Sequence, residues 1–207
     1  MSQLKPSKIV CVGKNYAKHA AEMGGNVPAE PLIFLKAPSA LIADGDDIVI
    51  PSWAGRVDYE GEIALVIGER ASRVSPDDAW RHVAGFLALN DVTARDLQRT
   101  DNQWSRAKGF DTFCPVGDVV PVGDVRLEDL AVTTRVNGEV RQEGAVSDLV
   151  FSIPVILAYI TRAMTLEPGD IVATGTPDGV GPLQPGDRVE IEVAGVGTVS
   201  NPVVADR

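Results

Sequence analysis

Asp58-Tyr-Glu-Gly-Glu-Ile-Ala-Leu-Val-Ile67 is the stretch on which the reading of this chain turns. Ile63, Leu65 and Ile67 alternate with other residues, the period of a β-strand. On a strand Glu60 and Glu62 project from one face. Two carboxylates held that close repel each other, and burying them unpaired costs several kcal/mol. A divalent cation removes that cost, and hard oxygen ligands suit Mg²⁺ or Mn²⁺. Asp91, in Leu89-Asn-Asp-Val-Thr-Ala-Arg-Asp96, stands at the end of the apolar run Val83 to Leu89 and completes a candidate triad. The alternative for Glu60 and Glu62 alone is an edge strand carrying two solvated glutamates.

The 207 residues are most economically one domain, residues 1–207, large enough to bury a substantial core. An apolar fraction of 44% with 23% charged residues is that of an ordinary soluble globular protein. The net charge of −10 argues against nucleic acid or an anionic membrane as partner, since both need a basic surface. It also means that any anionic ligand needs local positive charge, which a bound cation and a lysine would supply. Cys11 and Cys114 form no disulfide framework and no zinc spacing. Cys11, within Ile9-Val-Cys-Val12, reads as a buried, inert thiol. The N-terminal residues contain no apolar signal region. Ile153 to Met164 is interrupted by Pro154 and Arg162 and is too short to span a bilayer. A cytoplasmic protein is the expectation.

Turn signals punctuate many short segments: Asp44-Gly-Asp-Asp47, Val122-Gly-Asp124, Asn137-Gly138, Pro168-Gly-Asp170 and Pro185-Gly-Asp187. Asn137-Gly138 reads as a two-residue hairpin turn, and Arg188 to Val193 alternates as a half-buried strand. Helices are predicted over Asn15–Met23, ended by Gly24-Gly25, from Ser75 to about Val83, and from Ser152 to Met164. Many strands with scattered short helices make this a β-rich α+β chain.

Several side chains are chemically equipped. His19 and Glu22 lie three apart on the predicted first helix, so they share a face. A histidine oriented by a carboxylate is the usual general-base arrangement, and the bland alternative is a surface helix pair. Lys108 could neutralise charge developing beside a carboxylate or enolate. If Thr93 starts a helical turn, Asp91, Arg95 and Gln98 share a face, with Gln98 free to hydrogen-bond a substrate. Arg95 has two readings, a buttress for Asp91 or the partner of an acidic residue elsewhere. Thr174-Gly-Thr-Pro-Asp-Gly-Val-Gly181 is glycine-rich but lacks the Gly-Lys-[Ser/Thr] ending of a phosphate loop. It could still grip a carboxylate through backbone N–H groups. Tyr16 is left unassigned between substrate contact and packing, and His82 reads as an ordinary helix residue.

Seven segments, in order, give the chain its resemblance. They are Val12-Gly-Lys-Asn-Tyr-Ala-Lys-His-Ala-Ala-Glu22, Pro31-Leu-Ile-Phe-Leu-Lys36, the Glu60-Gly-Glu62 strand, Asn90-Asp-Val-Thr-Ala-Arg-Asp-Leu-Gln98, Ala107-Lys-Gly-Phe110, Val136-Asn-Gly-Glu139 and Ala173-Thr-Gly-Thr-Pro-Asp-Gly-Val-Gly181. From Ile9 to about Pro202 the chain resembles the fumarylacetoacetate hydrolase family, in its single-domain acylpyruvate hydrolase and oxaloacetate decarboxylase-like branch. Ala37 stands where relatives often carry proline after the lysine, which leaves the triad untouched. The resemblance implies a mixed β-sandwich roll with a few short helices, no extra N-terminal domain, and a homodimer. It also implies Mg²⁺ or Mn²⁺ on Glu60, Glu62 and Asp91, the dyad His19–Glu22 on a lid of about residues 14–30, and the active-site lysine Lys108. Thr176 would contact the substrate, with Gln98 and Arg95 beside it. The implied activity is hydrolysis of acylpyruvates, 2,4-diketo acids such as fumarylpyruvate or acetylpyruvate, to pyruvate and a carboxylic acid. Oxaloacetate decarboxylation and the 2-hydroxymuconate-type isomerisations of aromatic meta-cleavage catabolism use the same metal-held 2-oxo acid and stay open. A binding protein on the same scaffold is the alternative from another class, which the intact triad, dyad and lysine oppose.

Overall fold

The computed structural model describes residues 4–22 and 24–206. Its frame is two sheets laid face to face. The first has six strands in the order Val120–Pro121, Val83–Asn90, Gly61–Ile67, Ile171–Ala173, Ile9–Gly13, Leu32–Lys36. Ile9–Gly13 and Ile171–Ala173 run parallel, and the other neighbours run antiparallel. The second has five, in the order Glu139–Ala145, Ala131–Val136, Arg188–Val193, Gly197–Ala205, Ile48–Ile50. Strand dominates helix, so the β-rich α+β fold with a few short helices is what the chain adopts.

Strand Gly61–Ile67 is buried along its whole length because both of its faces are covered. Ile63, Leu65 and Ile67 enter the main core with Phe86, Val132, Ile191 and Val199. Ala64 and Val66 enter a smaller core behind the sheet with Cys11, Leu87 and Ala173. Gly61 faces the second sheet, and a Cβ there would fall 2.0 Å from Thr134 Oγ1. Glycine between the two glutamates is therefore a packing requirement, and the alternation turns Glu60 and Glu62 to the opposite side.

A small three-stranded sheet, Gly181–Pro182, Val57–Tyr59 and Thr93–Ala94, ties the glycine-rich loop to the segment after Asp91. Helix Ile153–Ala163 buries Ile153, Ile156, Leu157 and Ile160, as its spacing predicts. The segment after Ser75 is a 3₁₀-helix, Pro76–His82, rather than an α-helix, with Ser75 Oγ accepting the Asp78 N–H. The first helix spans Ala17–Glu22. It starts later than predicted because the Asn15 side chain is committed elsewhere, to Phe151 and Thr174; its predicted end at Met23 lies outside the described residues. Asn137 and Gly138 have φ of 53° and 82°, as a type I′ hairpin turn demands. No helix among the described residues is long and apolar enough to cross a membrane.

Candidate active site

Register brings the triad together. Gly61 pairs with Asn90 and Glu62 with Leu89, so the start of one strand lies beside the end of its neighbour, where Asp91 follows. Asn90 Oδ1 accepts the Glu60 N–H at 3.0 Å and locks that junction. One carboxylate oxygen from each of Glu60, Glu62 and Asp91 lies within 4.8 Å of the other two, and all three residues are buried.

Cations interleave with these carboxylates. Lys108 Nζ donates to Glu60 Oε2 at 2.8 Å and to Asp91 Oδ2 at 2.6 Å. Lys36 Nζ donates to Asp91 Oδ1 at 2.7 Å and to the Val92 carbonyl at 3.1 Å. Arg95 pairs with Glu60 Oε1 at 2.6 Å and donates to Asp58 Oδ2 at 2.9 Å, and Arg56 holds the same Asp58. The result is an alternating chain: Arg56, Asp58, Arg95, Glu60, Lys108, Asp91, Lys36. Four cations face three carboxylates, and Glu62 is the fourth acidic side chain of the cluster. Glu62 has no cationic partner among the described residues and accepts only the Gly175 N–H, at 2.8 Å.

Ionisation follows this wiring. Burial opposes the charge on Glu60, but Lys108 and then Arg95 outweigh it and hold the carboxyl well below the usual carboxylate range. Burial, reinforced by Asp91 and Glu60, pushes Glu62 well up. Burial pulls against the Lys108 ammonium, yet Asp91 and Glu60 leave it above the ordinary lysine value. The donor set fits a divalent cation: it is all oxygen, it converges, and its one unpaired carboxylate is the buried Glu62. Such an ion would add two positive charges to the cluster.

Part of this cluster forms the floor of a cavity of about 180 Å³. Glu60, Glu62, Arg95, Gln98, Lys108 and Thr176 line it together with His19. Asp91 stands behind the lining, fully buried. His19 is buried, and its Nδ1 lies 3.2 Å from Glu22 Oε2. Glu22, with 35% of its side chain exposed, is itself held by the Gly179 N–H at 3.1 Å. Trp104 and Phe34 meet edge to face at 5.3 Å on the cavity wall, and Lys108 Nζ lies 4.8 Å from the Phe34 ring centre.

One open reading is settled and two expectations change. Arg95 does not buttress Asp91; its partners are Asp58 and Glu60, the acidic residues elsewhere. Thr93–Ala94 is strand, so Asp91 shares no helical face with Arg95 and Gln98; those two pair within helix Arg95–Thr100, Nη1 to Oε1 at 2.9 Å. The glycine-rich loop spends its Gly175 N–H on Glu62. The Thr176 hydroxyl donates to the Gly61 carbonyl at 2.9 Å and accepts from Gln142 Nε2 at 2.8 Å, so it braces the Glu60-Gly-Glu62 strand while lining the cavity.

Lys36, Asp58 and Gln142 went unassigned in the sequence. Asp58 precedes Glu60 at strand spacing, which was a usable signal; Lys36 and Gln142 had none nearby. Gln142 accepts from the Gly61 N–H and Thr134 and donates to Thr176 and Pro177. Tyr16 packs its ring by Gly144 and Pro177, outside the cavity lining.

The family model described as fumarylacetoacetate (FAA) hydrolase C-terminal matches residues 8–204. The chain belongs to the fumarylacetoacetate hydrolase family. Among its relatives, the oxaloacetate tautomerase YisK of Bacillus subtilis is 45% identical over 96% of this chain and 70% of its own length. The mitochondrial oxaloacetate tautomerase FAHD2A of Bos taurus is 42% identical over 97% of this chain and 67% of its own. A crystal structure of 5-carboxymethyl-2-hydroxymuconate delta-isomerase from Mycobacterium smegmatis superimposes with a TM-score of 0.91 at 47% identity, covering 99% of this chain and 81% of that one. Family members are enzymes, named as tautomerases, isomerases and hydrolases.

Proposed function

We propose that this chain is a divalent-metal-dependent enzyme that converts a 2-oxo acid to its enol or enolate, with Mg²⁺ or Mn²⁺ held by Glu60, Glu62 and Asp91. The single observation that carries this reading is the convergence of three buried carboxylates, two of which, Glu60 and Glu62, line the cavity that His19 overlooks. When bound, the cation supplies Lewis-acid stabilisation of the negative charge on the 2-oxo oxygen. The chain supplies the rest. Glu22 accepts the His19 Nδ1–H, which leaves Nε2 as the base that removes a proton from carbon 3 and returns one to oxygen or carbon. Lys108, fixed between Glu60 and Asp91, adds positive potential where charge develops. Gln98 spends its carbonyl on Arg95 and keeps its amide N–H groups for the substrate carboxylate.

The oxaloacetate tautomerases among the relatives support keto–enol interconversion of oxaloacetate as the reaction. A second reading, hydrolytic cleavage of acylpyruvates, is favoured by the one-third exposure of Glu22, which lets solvent water reach the dyad. There His19 would deprotonate water, the hydroxyl would attack the distal carbonyl, and the bond to carbon 3 would break toward a pyruvate enolate. Oxaloacetate decarboxylation would need the cation but no base.

The test is a side-by-side assay of the purified chain with Mg²⁺ or Mn²⁺ against enol-oxaloacetate, acetylpyruvate and fumarylpyruvate. Interconversion of oxaloacetate, abolished by EDTA and restored by the ion, is expected to be fastest. Turnover of none of them, or turnover indifferent to EDTA, contradicts the proposal.

A further inference from the structure

Lys14 follows the buried strand Ile9–Gly13 with a backbone φ of 56°, the left-handed region that non-glycine residues seldom occupy. Its neighbours are held on both sides. A Cβ on Gly13 would fall 3.2 Å from the Trp104 ring, and Asn15 is tied by its side chain to Thr174 and Phe151. The bend puts Lys14, half-buried, on the wall of the cavity that His19, Glu60 and Glu62 line.

The other cations of that wall are engaged. Arg95 and Lys108 bind the carboxylate cluster, and Arg99 pairs with Asp96. Lys14 makes no hydrogen bond or ion pair among the described residues. Its ammonium lies against Gly25, where a Cβ would fall 2.7 Å from Nζ. The Gly25 N–H in turn caps the dyad helix through the Ala20 carbonyl at 3.0 Å. Glycine at 25 therefore leaves the lane that the Lys14 side chain occupies.

We propose that Lys14 is a specificity-determining residue that reads the second anionic group of the substrate, so that the cavity selects 2-oxo dicarboxylates over 2-oxo monocarboxylates. The inference rests on the metal-dependent 2-oxo acid reading. Glu60, Glu62 and Lys14 line one cavity, so Lys14 is among the groups that the far end of a ligand seated on the triad can meet. An unpaired ammonium there gains a charge-assisted bond only from a dianion.

The test uses two probes of equal chain length, 2-oxoglutarate and 2-oxopentanoate, titrated calorimetrically into the Mg²⁺-loaded full chain. One charge-assisted hydrogen bond corresponds to roughly 10–100-fold in affinity. The wild type should bind 2-oxoglutarate tighter by about that factor. Lys14→Met should lose most of this preference while 2-oxopentanoate binding changes less than about twofold, and Lys14→Arg should keep it. Gly25→Ala, which displaces the ammonium, should reduce the preference without abolishing 2-oxopentanoate binding. Equal affinity of the wild type for both probes, or equal loss of both in Lys14→Met, overturns the role of Lys14 and leaves the 2-oxo acid reading standing. Failure of the wild type to bind either probe overturns both.

Discussion

Replacing Lys36 by methionine probes the charge wiring of the site without touching the cavity lining. The Lys36 and Asp91 side chains are both fully buried, and the ammonium donates to Asp91 Oδ1 and the Val92 carbonyl. Methionine fills nearly the same volume and removes the charge. Removing one partner of a buried ion pair costs about 3–5 kcal/mol; Lys108 still serves the other oxygen of Asp91, so the lower end, about 3 kcal/mol, applies. For a chain of this size each kcal/mol shifts the melting temperature by about 2–4 °C, which gives a loss of roughly 6–12 °C. That loss holds for the metal-free protein, where Asp91 keeps only Lys108 as a cationic partner among the described residues. A divalent ion restores the missing positive charge, so saturating Mn²⁺ should at least halve the gap to wild type. The assay is thermal unfolding by circular dichroism in EDTA and in Mn²⁺. An unchanged melting temperature in EDTA, or a gap of the same size under both conditions, refutes the reasoning.

His19→Ala should slow oxaloacetate tautomerisation or acylpyruvate hydrolysis by roughly 10²–10⁴-fold, the usual contribution of a general base, and slow any oxaloacetate decarboxylation far less; equal losses in all would withdraw the base role. Asp170, fully buried, accepts from the N–H groups of Ser7, Lys8 and Glu167, and these bonds with the Lys8 ammonium outweigh burial and hold its carboxyl below the usual range. A depressed folded pKa stabilises the protein above the unfolded value of about 3.9 and loses that stability as pH falls through the folded one. Asp170→Asn should therefore cost on the order of 3 kcal/mol in urea unfolding at pH 7 and much less at pH 3; an equal cost at both pH values counts against it. Binding of oxalate with Mg²⁺ should raise hydrogen-exchange protection of the segment from Tyr16 to Pro28 more than that of the sheets; equal protection in both states would show that the segment does not close.

Much of the frame was legible because burial writes a period into the chain. Ile63, Leu65 and Ile67 marked the central strand, Asn137-Gly138 marked the hairpin, and Ser152 with Pro154 in the first turn opened the long helical pattern. Pro76–His82 came out as 3₁₀ because a serine cap with proline in the first turn starts either helix type. Glu60 and Glu62 were legible as a pair from the same alternation. Lys108 was legible as an active-site lysine through the resemblance; Lys36 and the pairings themselves were not, because Lys36 lies 55 residues from Asp91 and Lys108 lies 48 from Glu60. A lysine on a strand or short helix reads as solvated until the fold brings an acid to it. Gln142 was hidden for a different reason. It sits in a polar hairpin arm, and a register shift opposite Thr134 and Arg135 accompanies its inward turn to the Glu60-Gly-Glu62 backbone. Arg95 shows the limit of helical spacing as a guide, since Thr93–Ala94 turned out to be strand and redirected its guanidinium from Asp91 to Asp58 and Glu60.

Anomalous diffraction from a crystal of this protein soaked in Mn²⁺ tests the metal centre most directly. One strong peak is expected, about 2.0–2.2 Å from a carboxylate oxygen of each of Glu60, Glu62 and Asp91, and it should vanish in Glu62→Gln. A peak elsewhere, or none between these three side chains at saturating ion, would contradict the proposed chemistry at its foundation.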